Sequence, residues 1–401
     1  MTVMPGVCVR CKIARGGVDM SAGVGAVSGA KRLLSIDGGG LCGLIPAEVL
    51  MRMEQQLDEL TGVSQPIGER FDLIGGTSTG AILAAGLALG MRAQELRDFY
   101  VQLGPEIFRK GCLLERFKYK YPATGIEKQL KAKFGEGTTL GDPKLQKIVL
   151  LVAKNATEGN DWFFTNCKSS KFYATNKNIP LWHIVRASSA APTYFPPHAF
   201  GVPDGKGGIA TYEFIDGGVS SYNNPALQVF LEATVPAYGI AWPAEVDKLL
   251  LMSLGTGFYP LTIVEGDAGH YNLIDWASYV LKELMNEANL QQNMLMELIG
   301  QRPAQVASGF AEAVAAGAAS GIPSEAALDQ MRGPGKKLLT YQRITVGLTR
   351  QRLDGLGLPD VDPVKVREMD AVDQIPNMQR VGAAVAREQV YMERVVQFFR
   401  G

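Results

Sequence analysis

Phe71-Asp72-Leu73-Ile74-Gly75-Gly76-Thr77-Ser78-Thr79-Gly80 joins a short apolar run to a glycine-bordered turn, and Ala81 to Leu89 then continues apolar on every side. Four apolar-rich residues stopped by two glycines read as a buried strand, and a helix without a polar face reads as buried too. Between them Gly76-Thr77-Ser78-Thr79-Gly80 fits G-x-S-x-G. A nucleophile at a strand-to-helix turn needs small neighbours, because the backbone there is strained and the hydroxyl has to stand clear of it. The plainer reading is a glycine turn that lets a helix pack closely.

The same grammar extends outward. Leu33, Leu34 and Ile36 run into Asp37-Gly38-Gly39-Gly40, and from Pro46 to Leu60 the apolar residues Val49, Leu50, Met53, Leu57 and Leu60 recur at helical spacing. Further strands are expected at Ile148–Ala153, Trp162–Thr165, Tyr212–Ile215 and Leu249–Leu254, with a helix at Pro225–Ala233. Strands alternating with helices predict an α/β fold around a largely parallel sheet. Beyond about residue 260 the pattern predicts long helices at Leu273–Ile299 and Val381–Phe399 and one strand near Ile344–Leu348. The expected organisation is a flexible tail over 1–30, a catalytic domain over 31–260 and a mainly helical region over 261–401 packed on it. Met20 offers an alternative start.

Composition narrows the function classes. Forty Lys and Arg balance forty Asp and Glu among 401 residues, so the basic face of a nucleic-acid binder is not expected. Three histidines argue against a multi-histidine metal site. Glycine, with 46 residues, is in excess without a collagen period, which points to tight turns. Cys8, Cys11, Cys42, Cys112 and Cys167 are odd in number and scattered, unlike a disulfide framework, and the Cys8–Cys11 pair lacks the partners of a zinc site. Ala81–Met91 is too short to span a membrane and the first thirty residues lack the core of a signal peptide, so a cytoplasmic protein is expected.

Gly38, Gly40 and Gly43 also satisfy the dinucleotide fingerprint G-x-G-x-x-G, but the acidic residues at the right distance, Asp58 and Glu59, fall inside a helical pattern rather than at a strand end. The alternative is a loop whose exposed N–H groups bind an oxyanion. A base for Ser78 has to come from His183, His198, His270 or a carboxylate. Only His270 follows the remaining acidic candidate in the order Ser, Asp, His, and its polar loop shows no catalytic turn. Asp216 closes a strand candidate before Gly217 and Gly218, where a parallel sheet presents functional groups; an ordinary Asp-Gly turn is the competing reading.

Taken together, Asp37-Gly38-Gly39-Gly40-Leu41-Cys42-Gly43, Gly76-Thr77-Ser78-Thr79-Gly80 and Asp216-Gly217-Gly218 resemble the three signature blocks of patatin-like phospholipases, in order and at similar spacing. Ala187-Ser188-Ser189-Ala190-Ala191-Pro192 and the residues up to Pro197 resemble the family's segment before its aspartate, so the likeness runs from about Arg32 to Gly257. It implies a three-layer α/β/α fold with a mostly parallel sheet. It also implies a lipid acyl hydrolase acting through a Ser78–Asp216 dyad and an acyl-enzyme, with neither metal nor cofactor. Gly38, Gly39, Gly40, Leu41, Cys42 and Gly43 would form the oxyanion hole; Gly76, Thr77, Thr79 and Gly80 would shape the nucleophile elbow. The family usually has Lys or Arg where this chain has Cys42, which removes a basic side chain and sets a thiol near the site, so sensitivity to bulky thiol reagents is expected.

Two other readings accompany it: an effector lipase gated by a cyclic nucleotide or a protein, and a storage or binding protein with residual esterase activity, as patatin itself suggests. Arg109–Lys133 holds eight basic residues against two acidic ones, with Phe117, Tyr119 and Tyr121 between them. It reads as either a solvated face or a surface for anionic membranes. Trp276, Tyr279, Val280, Leu284, Met294, Leu295 and Leu298 form an apolar stripe suited to core or dimer packing, or to a lid. The expected partner is an acyl-ester lipid, with homo-oligomerisation and a small-molecule activator left open.

Overall fold

The computed structural model describes residues 29–108, 119–203, 207–261, 263, 267–304 and 336–400. The expected tail apart from its last two residues, Cys8, Cys11, Cys112 and the first ten residues of the basic stretch lie outside them.

Nine described strands form one sheet: β1 (Lys31–Ile36), β2 (Leu73–Thr77), β3 (Ile148–Asn155), β4 (Asn160–Thr165), β5 (His198–Pro203), β6 (Ile209–Asp216), β7 (Leu249–Leu254), β8 (Gly300–Gln301) and β9 (Leu339–Ile344). Their order is β5-β6-β3-β2-β1-β7-β9-β8, with β4 also paired to β3. The run from β3 to β8 is parallel; β4, β5 and β6 are antiparallel additions at one side. Parallel strands covered on both faces lack polar alternation, which is why β1, β2, β3 and β7 read as continuous apolar runs.

Alternate residues feed two cores. Leu34, Ile36, Ile74, Leu250 and Met252 belong to the larger core, with α1 (Leu44–Thr61), α2 (Thr79–Ala88) and α3 (Ala93–Ile107). Also in the chain are α4 (Ala123–Phe134), a single turn α5 (Tyr173–Asn176), α6 (Leu181–Ser188) and α7 (Ala226–Thr234). Leu33, Leu73, Leu150, Leu249 and Leu251 point the other way, against α7 and α8 (Leu273–Ile299). Helices therefore cover both faces of a mixed sheet, and all ten residues of α2 are buried.

The sheet continues beyond residue 260. β9 adds to β7 in parallel, Leu250 opposite Thr340 and Leu254 opposite Ile344. It runs over Leu339–Ile344, earlier than the expected Ile344–Leu348, because these are the residues in register with β7; Val346 and Leu348 instead exchange hydrogen bonds with Phe258. After α9 (Arg350–Gly355) and α10 (Pro363–Val366), α11 covers Ile375–Gln389 rather than Val381–Phe399. Pro376 suits its first turn, Val390 turns extended, and Val396, Phe398 and Phe399 are buried from short 3-10 turns instead. Of the apolar stripe on α8, Trp276, Val280 and Leu284 are exposed and Met294, Leu295 and Leu298 are half-buried; the α8 residue that enters the second core is Met296, which the stripe did not include. No helix among the described residues is long and apolar enough to cross a membrane.

One ion pair bridges β1 and β9 across β7. Asp37, just past β1, accepts from both terminal nitrogens of Arg343 on β9, and Arg343 Nη1 also donates to Ser253 Oγ at 2.7 Å. Both charges are nearly solvent-free. Removing one member of such a pair strands the other in low dielectric, so Arg343→Met is expected to lower unfolding free energy by about 3–5 kcal/mol. Urea denaturation measures this, and the double change Asp37→Leu with Arg343→Met recovers much of the loss.

Candidate active site

Ser78 stands between β2 and α2 with φ 54° and ψ −121°, a conformation costly for a residue with a side chain. Its neighbours make that turn feasible. A methyl group on Gly76 would come within 2.1 Å of the Gly80 carbonyl oxygen, and one on Gly80 within 2.1 Å of the Ile36 carbonyl oxygen. The Ser78 N–H donates to Ser188 Oγ at 2.8 Å, and Ser188 Oγ donates to the Val152 carbonyl at 2.5 Å. Thr79 is tied to Tyr100, whose hydroxyl donates to the Thr79 carbonyl at 2.7 Å. Sequence reasoning gave Ser188 no role of its own; its one trace was the small-residue block at 187–192.

The Ser78 hydroxyl donates to Asp216 Oδ2 at 2.6 Å. The other carboxylate oxygen accepts the Gly218 N–H at 2.7 Å, which fixes the rotation of the group. Asp216 does not reach this position by the expected route. β6 runs antiparallel to β3, with Asp216 opposite Ala153, so the rule for parallel strand ends does not apply. The chain descends to the serine and turns away at Gly217, where a methyl group would meet the Val152 carbonyl oxygen at 2.5 Å.

Burial pushes the Asp216 carboxyl up to about 7, against the opposing pull of the Ser78 hydroxyl, the Gly218 N–H and the Arg186 charge. Arg186 on α6 is itself fully buried and donates to the Pro196 carbonyl at 2.9 Å. It too was missed, since a single arginine in an apolar helix leaves no pattern. A carboxylate with such a lifted affinity for protons is a far better base near neutrality than an exposed one.

None of the three histidines bonds to this pair. His183 Nδ1 and His198 Nε2 lie 2.8 Å apart in an aromatic stack with Trp182 and Phe200. Burial and nearby cations push them down to about 4 and 3, so both are neutral at pH 7. His270 is exposed in a short 3-10 turn.

The glycine loop is gripped from several sides. Gly38 donates to the Asn223 carbonyl at 3.0 Å, Leu41 to the Met369 carbonyl at 2.9 Å and Cys42 to the Gly39 carbonyl at 3.2 Å. Thr256 Oγ1 donates to the Gly38 carbonyl at 2.6 Å. A methyl group on Gly38 would sit 3.2 Å from Ser78 Cβ, so the loop lies directly against the serine. Of the expected donors, Gly38, Leu41 and Cys42 are thus already engaged, while the N–H groups of Gly39 and Gly40 have no partner among the described residues. Gly40 has φ 58°, and a side chain there would collide with Met369.

Ser78 and Asp216 open onto a cleft. Ile82, Leu103, Ile107, Tyr194 and Phe195 line it, with Leu281 and Met285 of α8 closing one side. Such a wall accepts hydrocarbon. In the basic stretch, Lys120 pairs with Asp370 and Lys131 lies over Trp182, so these two cations are used within the fold.

A sequence model of the family described as patatin-like phospholipase matches residues 34–230. Patatin-17 of Solanum cardiophyllum is 32% identical over 267 residues, covering 62% of this chain and 67% of that protein. Patatin group J-1 of Solanum tuberosum is 31% identical over 278 residues, covering 64% and 69%. The chain belongs to the patatin-like phospholipase family. Patatin-like protein 2 of Arabidopsis thaliana is 33% identical over 250 residues, 56% of this chain and 59% of that one, so the likeness spans about three-fifths to two-thirds of these relatives. The crystal structure of VipD from Legionella pneumophila aligns at a TM-score of 0.34 and 13% identity, over 88% of this chain and 67% of that one, a likeness too weak to carry inference.

The expectation of a reactive thiol at the site is overturned. Cys42 is buried, and its Sγ turns away from the serine to the Val366 and Arg367 carbonyls at 3.7 and 3.8 Å. Burial pushes its thiol up to about 12, leaving almost no thiolate at neutral pH. N-Ethylmaleimide applied to the native protein at pH 7.5 is expected to leave the Cys42 peptide unlabelled by mass spectrometry, and to label it fully after denaturation.

Proposed function

We propose that the protein hydrolyses acyl esters of lipids by a two-residue mechanism, and that the 2.6 Å contact between Ser78 Oγ and Asp216 Oδ2 at the edge of an apolar cleft carries this reading. The acyl chain enters the cleft and its ester carbonyl stops at Ser78. Asp216 Oδ2 accepts the hydroxyl proton while Ser78 Oγ bonds to the carbonyl carbon, and negative charge gathers on the carbonyl oxygen. The Gly39 and Gly40 N–H groups receive that oxyanion, assisted by the positive end of α2 behind Ser78.

As the tetrahedral adduct collapses, the carbon–oxygen bond to the leaving alcohol breaks and Asp216 returns its proton to that oxygen. The acyl-enzyme is then resolved by water, whose proton passes to Asp216 and from there to Ser78 Oγ. A serine–histidine relay is not used in this scheme, consistent with the neutral, mutually bonded His183 and His198.

Because the base works only as a carboxylate, kcat/KM for a short-chain nitrophenyl ester is expected to rise with pH through about 7 and level off above it. Asp216→Asn is expected to lower the rate by about 10²–10⁴-fold. Ser78→Ala is expected to remove about 10⁴-fold or more. Wild-type activity indistinguishable from both variants would sink the dyad and favour a storage or binding role.

A further inference from the structure

A second cavity borders the glycine loop at Gly38, Gly39 and Cys42, whereas the acyl cleft borders it at Gly40 and Leu41. Met285 and Met369 border both spaces. Its chemistry differs from that of the cleft. Lys282, Arg367, Asn286, Asn289, Tyr259 and Thr256 face it.

The charges do not cancel. Lys282 Nζ is paired with both oxygens of Glu368 at 2.9 and 3.1 Å. Arg367 has no carboxylate partner among the described residues, and its buried Nε–H has no acceptor. Its guanidinium lies 4.4 Å over the Tyr259 ring, which holds a cation in place without neutralising it. Around it, Asn223 Nδ2 donates to Asn289 Oδ1 at 3.0 Å and Asn286 Nδ2 to the Tyr259 carbonyl at 3.0 Å, so the walls are held by their own bonds. A planar donor with spare hydrogens, fixed beside a lysine whose own charge is balanced by Glu368, suits a phosphate or phosphodiester.

We propose that this cavity is a phosphate subsite for the lipid head group, with Arg367 its main ligand and Lys282 its second. The proposal rests on the hydrolase reading above. An ester at Ser78 extends its acyl chain into the apolar cleft, and its alcohol portion, carrying the phosphate, passes Met285 and Met369 to reach Arg367. Phospholipids are selected over neutral glycerides of the same chain length because a neutral head group leaves the Arg367 donors unpaired.

The test is a selectivity ratio: kcat/KM for a phospholipid in mixed micelles divided by that for a diacylglycerol with the same chains. Arg367→Met is expected to lower this ratio at least about tenfold, Lys282→Met to lower it less, and Arg367→Lys to restore part of it. Equal loss on both substrates, or on neither, overturns the subsite. If Arg367→Met does not fold, Lys282→Met and Arg367→Lys carry the same comparison.

Binding separates this proposal from the catalytic one. Calorimetric titration of the Ser78→Ala protein with sn-glycerol 3-phosphate is expected to show binding that Arg367→Met weakens about tenfold. No binding, or binding indifferent to Arg367, overturns the subsite, and inorganic phosphate binding more tightly than glycerol phosphate overturns its assignment to a head group. A wild-type protein that cleaves no ester yet binds glycerol phosphate through Arg367 overturns the hydrolase reading and leaves the subsite standing.

Discussion

Asp37 and Arg343, opposite charges buried side by side, tie the end of β1 across β7 to β9 at the point where the glycine loop begins. Two charges withdrawn from water contribute little net stability, but each makes the other's displacement expensive, so the pair acts chiefly as a constraint on position. The loop that leaves Asp37 inherits that position. Asn223, Thr256 and Met369 bond to its polar groups, and among the described residues none takes the Gly39 and Gly40 N–H groups. A loop free to move would have to be ordered during the reaction itself, whereas a clamped one presents its donors in advance.

The site also holds two unfavourable local states. Ser78 sits at positive φ, a strain of order 1–3 kcal/mol, and the buried Asp216 resists ionisation. Both are tolerated because the surrounding backbone is overdetermined: Gly76 and Gly80 pass within contact distance of other chain segments, and Ser188 fixes the serine N–H. The features that destabilise these residues are the ones the proposed mechanism uses: they direct the hydroxyl at Asp216 and raise that carboxylate's affinity for a proton.

What could be read from the sequence follows the range of the interaction concerned. β1, β2 and β7 were readable because strands buried on both faces print uninterrupted apolar runs, and the serine turn was readable because strain demands adjacent glycines. β5 was not, since His198, Gly201 and Pro203 suit only an edge strand and resemble a loop. Asp216 stood out as a strand-terminal acid, yet its approach on an antiparallel strand was hidden, because pairing direction leaves no local mark. The hold of Met369 on Leu41 and of Arg343 on Asp37 left no signal at all. Contacts across more than 300 positions depend on the finished fold.

The clasp around Leu41 and Cys42 by residues 366–369 has a bearing on biosynthesis. Translation delivers the serine, its aspartate and most of the sheet long before the segment that clamps the glycine loop. On a ribosome, the growing chain would carry Ser78 and Asp216, the pair to which the proposed mechanism assigns the chemistry, before residue 369 had emerged to hold the glycine loop. Under the proposed mechanism, competence then arrives as a late step of folding, and a product truncated before that segment lacks the clamp on Leu41 and Cys42.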